Sequence, residues 1–193
     1  MANRLLATGK VESLCINGKP VPRINMAFGG PVSDRHAGRE RRLSGHDGEY
    51  IRTSSRRKGD NVLNWRMWSG LSTEEIGRVE NELDVAIPPG CLLENMIISG
   101  IPNFSQLPPT TRLVFPEHKV SGMTRTFQAI LAVWEENGPC RTVGERLAKH
   151  HGQDELVHRF VKYAQRRRGV VGLVLTPGII CVGDEVLVFP PVE

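Results

Sequence analysis

The sequence predicts a mainly β protein of the α+β class, in which two or three helices are inserted between short strands. Short apolar segments rich in strand-forming residues recur along the chain, and turns containing Pro or Gly separate them. Two helix-capping patterns lie between these segments. The 193 residues can bury a substantial core, and 39% hydrophobic with 24% charged residues is typical of a globular protein. We therefore expect one domain over residues 1–193.

The strands are predicted from apolar runs of strand length. Residues 5–16 alternate in polarity and predict the first strand. A long tract rich in Gly and Arg follows over residues 17–64, where we expect short strands and a binding surface. Residues 127–134 are apolar on both faces, which predicts a strand covered on both sides, as in a closed barrel with flanking elements. The other predicted strands are residues 91–99, 110–115, 170–175, 179–182 and 185–189.

Three helices are predicted between these strands. Ser72 and Glu75 form a capping box that begins a helix over about residues 73–83. Thr142 and Glu145 form a second one, which makes Thr142 the predicted N-cap of a short helix that ends at Gly152. A third helix is predicted over residues 154–168, with apolar residues at helical spacing along one face.

The charge pattern indicates an anionic partner without identifying it. The formal net charge is +4, and eight Lys or Arg against four acidic residues lie between residues 34 and 58. A second basic group occupies residues 166–168. Such patches suit a phosphate, a phosphorylated cofactor or nucleic acid, whereas taken alone they also fit a solvated loop and a helix end.

Cysteine usage and the lack of long apolar runs favour a cytoplasmic protein with reduced thiols. No run approaches the roughly 20 apolar residues of a membrane span, and the N-terminal segment lacks the apolar stretch of a secretory signal. The four cysteines form no CxxC pair, so a zinc knuckle is not indicated. The common signatures for phosphate loops, dinucleotide binding, zinc proteases and serine hydrolases are missing.

Cys140 is the cysteine that the pattern singles out. It lies two residues before the predicted N-cap, where the positive end of a helix and Arg141 favour a thiolate. A buried turn cysteine is an equally good explanation from spacing alone. Glu94 and Asn95 interrupt an apolar segment, so they either face solvent or are satisfied within a site.

Four segments in order resemble the MOSC domain, the C-terminal domain of molybdenum cofactor sulfurases, which also occurs as small free-standing bacterial proteins. They are DRHAG at residues 34–38, LLENMIISGI at 92–101, NGPC at 137–140 and RRRGVVGLVLTPGIICVGDEVLV at 166–188. The resemblance implies a β-barrel and makes Cys140 the functional thiol, which ligates molybdenum beside the dithiolene sulfurs of a pterin. It implies no pyridoxal phosphate site, because the chain is too short to include that domain of the sulfurases.

The resemblance also implies which residues hold the molybdopterin cofactor. The family often has an arginine two residues ahead of Pro-Cys, where this chain has Asn137-Gly138, so that role would fall to Arg141, Arg112 or the region of Arg35. Paired hydrogen bonds from Glu94 and Asn95 could recognise the edge of the pterin ring. The full set of expected cofactor-binding residues is Arg35, His36, Gly38, Glu94, Asn95, Arg112, Asn137 and Arg141.

Three functions follow from these observations. The first is a molybdenum cofactor protein that reduces N-hydroxylated small molecules with electrons from an external donor. The second is a sulfur carrier, in which Cys140 holds a persulfide and passes sulfur to a metal centre, with a sulfur donor or acceptor protein as its partner. The third is a basic β-barrel that binds nucleic acid, which ranks below the others because the charge is modest and aromatic residues are few.

Overall fold

The apolar strands bury their inner faces by closing into a barrel. The computed structural model describes residues 4–119 and 126–191, and the first residues of the segment considered for a secretory signal lie outside them. The strands are β1 (Ala7–Ile16), β2 (Lys19–Val21), β3 (Arg23–Ala27), β4 (Gly30–Pro31), β5 (Glu40–Arg42), β6 (Asn61–Leu63), β7 (Trp68–Ser72), β8 (Met96–Ser99), β9 (Arg112–Lys119), β10 (Thr126–Glu136), β11 (Val170–Thr176), β12 (Gly178–Cys181) and β13 (Glu185–Phe189). The prediction of a mainly β fold with inserted helices is confirmed.

Seven of the described strands form the barrel, in the order β11-β7-β8-β1-β13-β9-β10. The ring closes because β11 pairs antiparallel with β7 on one side and with β10 on the other. Strands β12, β3 and β4 continue the sheet beyond β10, while β5 and β6 form a separate two-stranded sheet. Trp68, Phe104, Phe115 and Leu131 are among the apolar side chains that fill the main core.

Four helices accompany the strands in the described residues: α1 (Gly48–Thr53), α2 (Thr73–Leu83), α3 (Arg141–His151) and α4 (Leu156–Tyr163). The last three pack against one another through a second apolar cluster that includes Leu83, Leu147 and Phe160. No helix among the described residues combines the length and the apolarity that crossing a membrane requires.

Three predicted elements differ from the structure. The strand predicted over residues 91–99 begins only at Met96, because Leu93 adopts a left-handed backbone with φ of 63° in a turn. The helix predicted over residues 154–168 ends at Tyr163, and Arg166 then turns the chain with φ of 56°. The tract over residues 17–64 holds its expected short strands and also α1, which its residue pattern did not indicate.

Candidate functional site

A cavity of about 790 Å³ lies where the end of β10, the first turn of α3 and the start of β11 meet. The segment that leads into β5 and the residues around the start of β7 complete its wall. Five arginines and three glutamates line it, so its formal charge is +2. The arginines are Arg35, Arg41, Arg42, Arg66 and Arg168, and the glutamates are Glu40, Glu135 and Glu136.

Cys140 lines this cavity and is itself the N-cap of α3. Its backbone is extended, with φ of −131° and ψ of 157°, and its carbonyl accepts the first helical hydrogen bond from Gly144 at 3.1 Å. The prediction of Thr142 as the N-cap is therefore wrong by two residues. Glu145 does not cap the helix, because its carboxylate accepts a hydrogen bond from Arg141 Nε at 2.8 Å. The thiol consequently sits directly at the positive end of the helix.

The other three thiols lie in surroundings that oppose ionisation. Burial, and then the charge of Glu94, raise the pKa of Cys15 to about 11. Burial also raises the pKa of Cys91 and of Cys181. None of the three lines the cavity. Because the thiolate is the nucleophile, these three thiols are poor candidates for nucleophilic chemistry.

Arg168 brings a buried positive charge to the cavity. It is only 7% exposed, and its Nη1 donates to Asn137 Oδ1 at 2.9 Å and to the Gly138 carbonyl at 2.7 Å. Its Nη2 reaches the Leu92 carbonyl at 3.4 Å, and its buried Nε finds no hydrogen-bond partner in residues 4–119 and 126–191. Among the described residues, no carboxylate forms an ion pair with it. Burial lowers the pKa of Arg168, whereas the nearby Cys140 thiol and Glu94 raise it.

Arg66 approaches the same amide from the other side. Its Nη2 donates to Asn137 Oδ1 at 2.9 Å, and its Nη1 lies 3.9 Å from Glu135 Oε1. Asn137 is 5% exposed, and its side-chain oxygen accepts a hydrogen bond from each arginine. A neutral amide aligns the two guanidinium groups without cancelling their charge. This pair stands beside the Pro-Cys turn that carries the thiol.

The loop that contains Arg35 and His36 forms the opposite wall. Asp34 fixes it by accepting hydrogen bonds from the backbone of Asn17 and His36 and from the Asn95 amide. Arg35 Nε donates to His36 Nε2 at 3.0 Å, so this ring nitrogen is an acceptor. Burial and the charges of Arg35 and Arg66 lower the pKa of His36, against the smaller opposing effect of Asp34. The imidazole is therefore neutral near pH 7.

The comparison with protein families identifies the family of this chain. A model described as the MOSC domain matches residues 64–187, nearly two thirds of the chain, including Arg66, Asn137, Cys140 and Arg168. The chain belongs to the MOSC domain family. It is 30% identical over 187 residues to the Bacillus subtilis (strain 168) protein named "Putative metal-sulfur cluster biosynthesis proteins YuaD", covering 93% of this chain and 89% of that protein.

Solved structures show the same fold. The crystal structure of the YuaD protein from Bacillus subtilis superposes with a TM-score of 0.83 at 28% identity, over 95% of this chain and 96% of that one. YiiM from Geobacillus stearothermophilus gives a TM-score of 0.50 at 14% identity, over 98% of this chain and 75% of that one. The second likeness concerns the fold alone. The predicted MOSC-type β-barrel is confirmed.

The other residues expected to bind a cofactor in this MOSC protein lie in different places. Asn95 lines the cavity, but its amide is held by Ser69 N, the Cys15 carbonyl and Asp34. Glu94 does not line it: one carboxylate oxygen accepts from Gly90 N, the other has no hydrogen-bond partner, and burial raises its pKa. Gly38 shapes the loop by accepting a hydrogen bond from Asn64 without facing the cavity.

Two arginines expected at the site lie outside the cavity lining. Arg112 places its guanidinium carbon 5.7 Å from the centre of the Phe189 ring. Arg141 pairs with Glu145 on the exposed face of α3, and its side chain is 77% exposed. The two arginines beside Asn137 are instead Arg66 and Arg168, which sequence reasoning missed. The sequence signal for Arg168 is the Arg168-Gly169 step directly before β11, because a turn at this glycine points the preceding arginine inward.

Proposed function

We propose that this MOSC protein binds a molybdopterin-type cofactor in the cavity, with Cys140 as the thiolate ligand of the metal, and reduces N-hydroxylated small molecules. One observation carries the proposal: the Cys140 thiol shares a cavity with Arg168, a buried arginine that has no carboxylate partner among the described residues. A thiolate and an unneutralised guanidinium are two complementary contacts for a ligand that contains both a soft metal and a phosphate.

The residues present fit such a group. A volume of 790 Å³ is within the range of about 300–1,000 Å³ found for small-molecule and cofactor pockets. The buried Nε of Arg168 has no hydrogen-bond partner among the described residues, which leaves a donor for a bound anion. Cys140 supplies the soft sulfur donor that a sulfur-rich metal centre favours. The lining thus offers one metal ligand and several anion contacts.

Each side chain then has a distinct part in the site. Cys140 would ligate the metal, while Arg168 and Arg66 would hold the anionic part of the cofactor. Neutral His36 and the carboxylates of Glu135 and Glu136 would orient a polar substrate at the cavity wall. When bound, the cofactor would supply two-electron chemistry, so that an N-hydroxylated compound, two electrons from an external donor and two protons yield the parent amine and water.

A second candidate is a sulfur carrier that uses a persulfide on Cys140. The name of the Bacillus subtilis relative, which refers to metal-sulfur cluster biosynthesis, favours it. The same helix N-terminus and the charge of Arg168 would stabilise a persulfide anion. This candidate needs no pterin, so metal content separates the two.

Elemental analysis tests the first proposal. The full chain is purified from a molybdenum-replete host with active cofactor synthesis, as wild type, as Cys140→Ala and as Cys91→Ala. Cys91 is a buried thiol outside the cavity, so its variant is the matched control. We expect near-stoichiometric molybdenum in the wild type and in Cys91→Ala, and its loss in Cys140→Ala.

Two outcomes would contradict the proposal. One is wild-type protein without molybdenum from a host that loads other molybdenum proteins. The other is molybdenum that remains in full after Cys140 is replaced. In either case, intact-mass spectrometry of the wild type under non-reducing conditions decides the second candidate, because a persulfide adds one sulfur atom that is absent from Cys140→Ala.

A further inference from the structure

Three metal-ligating side chains converge outside the Cys140 cavity. His118 lies near the end of β9, Cys181 is the last residue of β12, and Asp184 lies in the turn before β13. Their nitrogen, sulfur and oxygen donor atoms all lie within 4.8 Å of one another. None of the three lines the cavity described above. The group therefore needs an explanation separate from that site.

The backbone places the three donors by a tight turn and by strand pairing. Asp184 N donates to the Cys181 carbonyl at 3.2 Å, and Asp184 Oδ2 in return accepts from Cys181 N at 2.8 Å. His118 Nε2 approaches the same carboxylate oxygen at 2.8 Å from β9. This turn and β9 hold the donors in place, so little conformational entropy is lost when a ligand binds them.

We propose that His118, Cys181 and Asp184 form a binding site for a zinc-class divalent cation. In a tetrahedral zinc site with bonds of about 2.0–2.3 Å, neighbouring donor atoms lie roughly 3.3–3.6 Å apart. The 2.8 Å separation of the histidine nitrogen and the carboxylate oxygen is near that range, and the 4.8 Å limit requires the sulfur to move by only about 1 Å.

The donor set also matches the charge of such an ion. A thiolate and a carboxylate together balance two positive charges, and a neutral imidazole is the commonest nitrogen ligand. The ion would replace the proton that His118 and Asp184 share in their hydrogen bond. His118 and Cys181 are partly exposed, so water can reach the site and complete a fourth position.

The His118–Asp184 contact alone does not account for the position of Cys181. An ion pair with a partly exposed histidine would be satisfied without a sulfur beside it. Among the described residues, the Cys181 sulfur takes part in none of the hydrogen bonds, and it lies within 4.8 Å of the donor atoms of His118 and Asp184. A sulfur donor at this distance from a nitrogen and an oxygen donor is the arrangement found in zinc sites with mixed ligands.

Cobalt(II) titration under thiol-reducing conditions tests the proposal on the full chain. Cobalt replaces zinc in tetrahedral sites and reports a bound thiolate by charge-transfer absorption. We expect one equivalent per chain in the wild type, loss of the thiolate band in Cys181→Ser, and an affinity lower by at least about tenfold in His118→Gln. Cys91→Ser is the matched control, because it removes a buried thiol outside both the cluster and the cavity and should keep the band.

The proposal is overturned if the wild type binds no cobalt, or if the thiolate band survives Cys181→Ser and disappears in Cys140→Ser. His118→Gln keeps the turn intact, because the carboxylate of Asp184 still accepts from Cys181 N. It therefore decides the matter if Cys181→Ser does not fold, since a wild-type affinity in His118→Gln excludes this site. Molybdenum content has no part in the test, so its outcome is separate from that of the cofactor proposal.

Discussion

The side chain of Asn137 holds two of the cavity's arginines without adding a negative charge. Its oxygen accepts hydrogen bonds from Arg66 and Arg168, which would otherwise repel each other. An aspartate at this position could make the same two hydrogen bonds, but it would neutralise one of the positive charges. The amide is thus the choice that keeps both arginines in place and leaves their charge for a ligand. This difference can be tested without disturbing the packing.

We expect Asn137→Asp to separate charge from structure. The carboxylate has nearly the same shape and forms charge-assisted hydrogen bonds, so the thermal midpoint should not fall. Molybdenum content should fall by about tenfold or more, because losing one charge-assisted contact costs roughly 1.5–3 kcal/mol. Asn103→Asp, the same change at an exposed position, is the control. Full molybdenum content in Asn137→Asp would show that the charge of the two arginines is not used.

The residues of the site differ in how far the sequence could predict them. Cys140 and Asn137 were accessible because the Pro-Cys step and its neighbours form a local pattern. Arg168 belongs to three consecutive arginines that follow an amphipathic segment, a pattern that fits a solvated helix end as well as an anion-binding patch. Its burial depends on the turn at Arg166 and on partners 30 and 31 residues away, the Gly138 carbonyl and Asn137 Oδ1. Contacts of that range cannot be derived from local spacing.

At the scale of elements, two identical capping patterns have different outcomes. In α2 the hydroxyl of Ser72 accepts from Glu75 N at 3.1 Å, as predicted, and the helix spans Thr73–Leu83. In α3 the N-cap is Cys140, so Thr142 lies two residues inside the helix instead. Glu75 is buried and bonded to Ser105, whereas Glu145 pairs with Arg141 at the surface. The capping pattern predicted both helices. The residues that bind the two glutamates, Ser105 and Arg141, decided where each helix begins.

The sheet of β5 and β6 forms part of the cavity wall and depends on one ion pair. Asp47 accepts hydrogen bonds from both Nη atoms of Arg41 and from the backbone and hydroxyl of Ser44. Burial alone would raise the pKa of Asp47, but these hydrogen bonds together lower it below its ordinary value. Because the folded pKa is lower than the unfolded one, the stabilisation is complete above the unfolded pKa and is lost as the pH falls through the folded one.

We expect Asp47→Asn to destabilise the fold at neutral pH more than in acid. At pH 7 the loss should be about 2 kcal/mol, since the hydrogen bonds of a charged group are removed. At pH 3, below the unfolded Asp pKa of about 3.9, the wild type has lost part of this stabilisation, so the difference should shrink. Urea denaturation at both pH values measures it, and Glu49→Gln on the exposed face of α1 is the control. An equal difference at both pH values would contradict this role.

At the scale of the whole molecule, the barrel depends on β11 pairing with two strands that are distant in sequence. Most individual strands could be predicted from short apolar segments, including those that became β1 and β9 to β13. The strand pairs that close the predicted barrel could not, because they join Gly172 to Trp68 on one side and to Val133 on the other. A period-two pattern predicts that a strand has a buried face, but it does not say which strands are its neighbours.

Gly172 is the residue at which this closure can be tested. A Cβ atom there would lie 1.9 Å from the Ala132 carbonyl oxygen and 2.7 Å from a ring carbon of Trp68, so the neighbouring backbone would have to move. We expect Gly172→Ala to lower the free energy of unfolding by about 3 kcal/mol, at the upper end of the usual cost of overpacking. Val171 and Arg168, in β11 and just before it, both line the cavity, so the molybdenum content should fall together with the free energy of unfolding.

Gly77→Ala is the matched control, because Gly77 lies within α2 and a Cβ there would meet nothing within 4 Å. Alanine is the better helix former, so this change should raise the free energy of unfolding by up to about 1 kcal/mol. Urea denaturation of the two variants beside the wild type gives both values. Equal stability of Gly172→Ala and the wild type would mean that β11 can separate from β10 or β7 at little cost. In that case, closure of the barrel would not be the feature that holds Arg168 against Asn137.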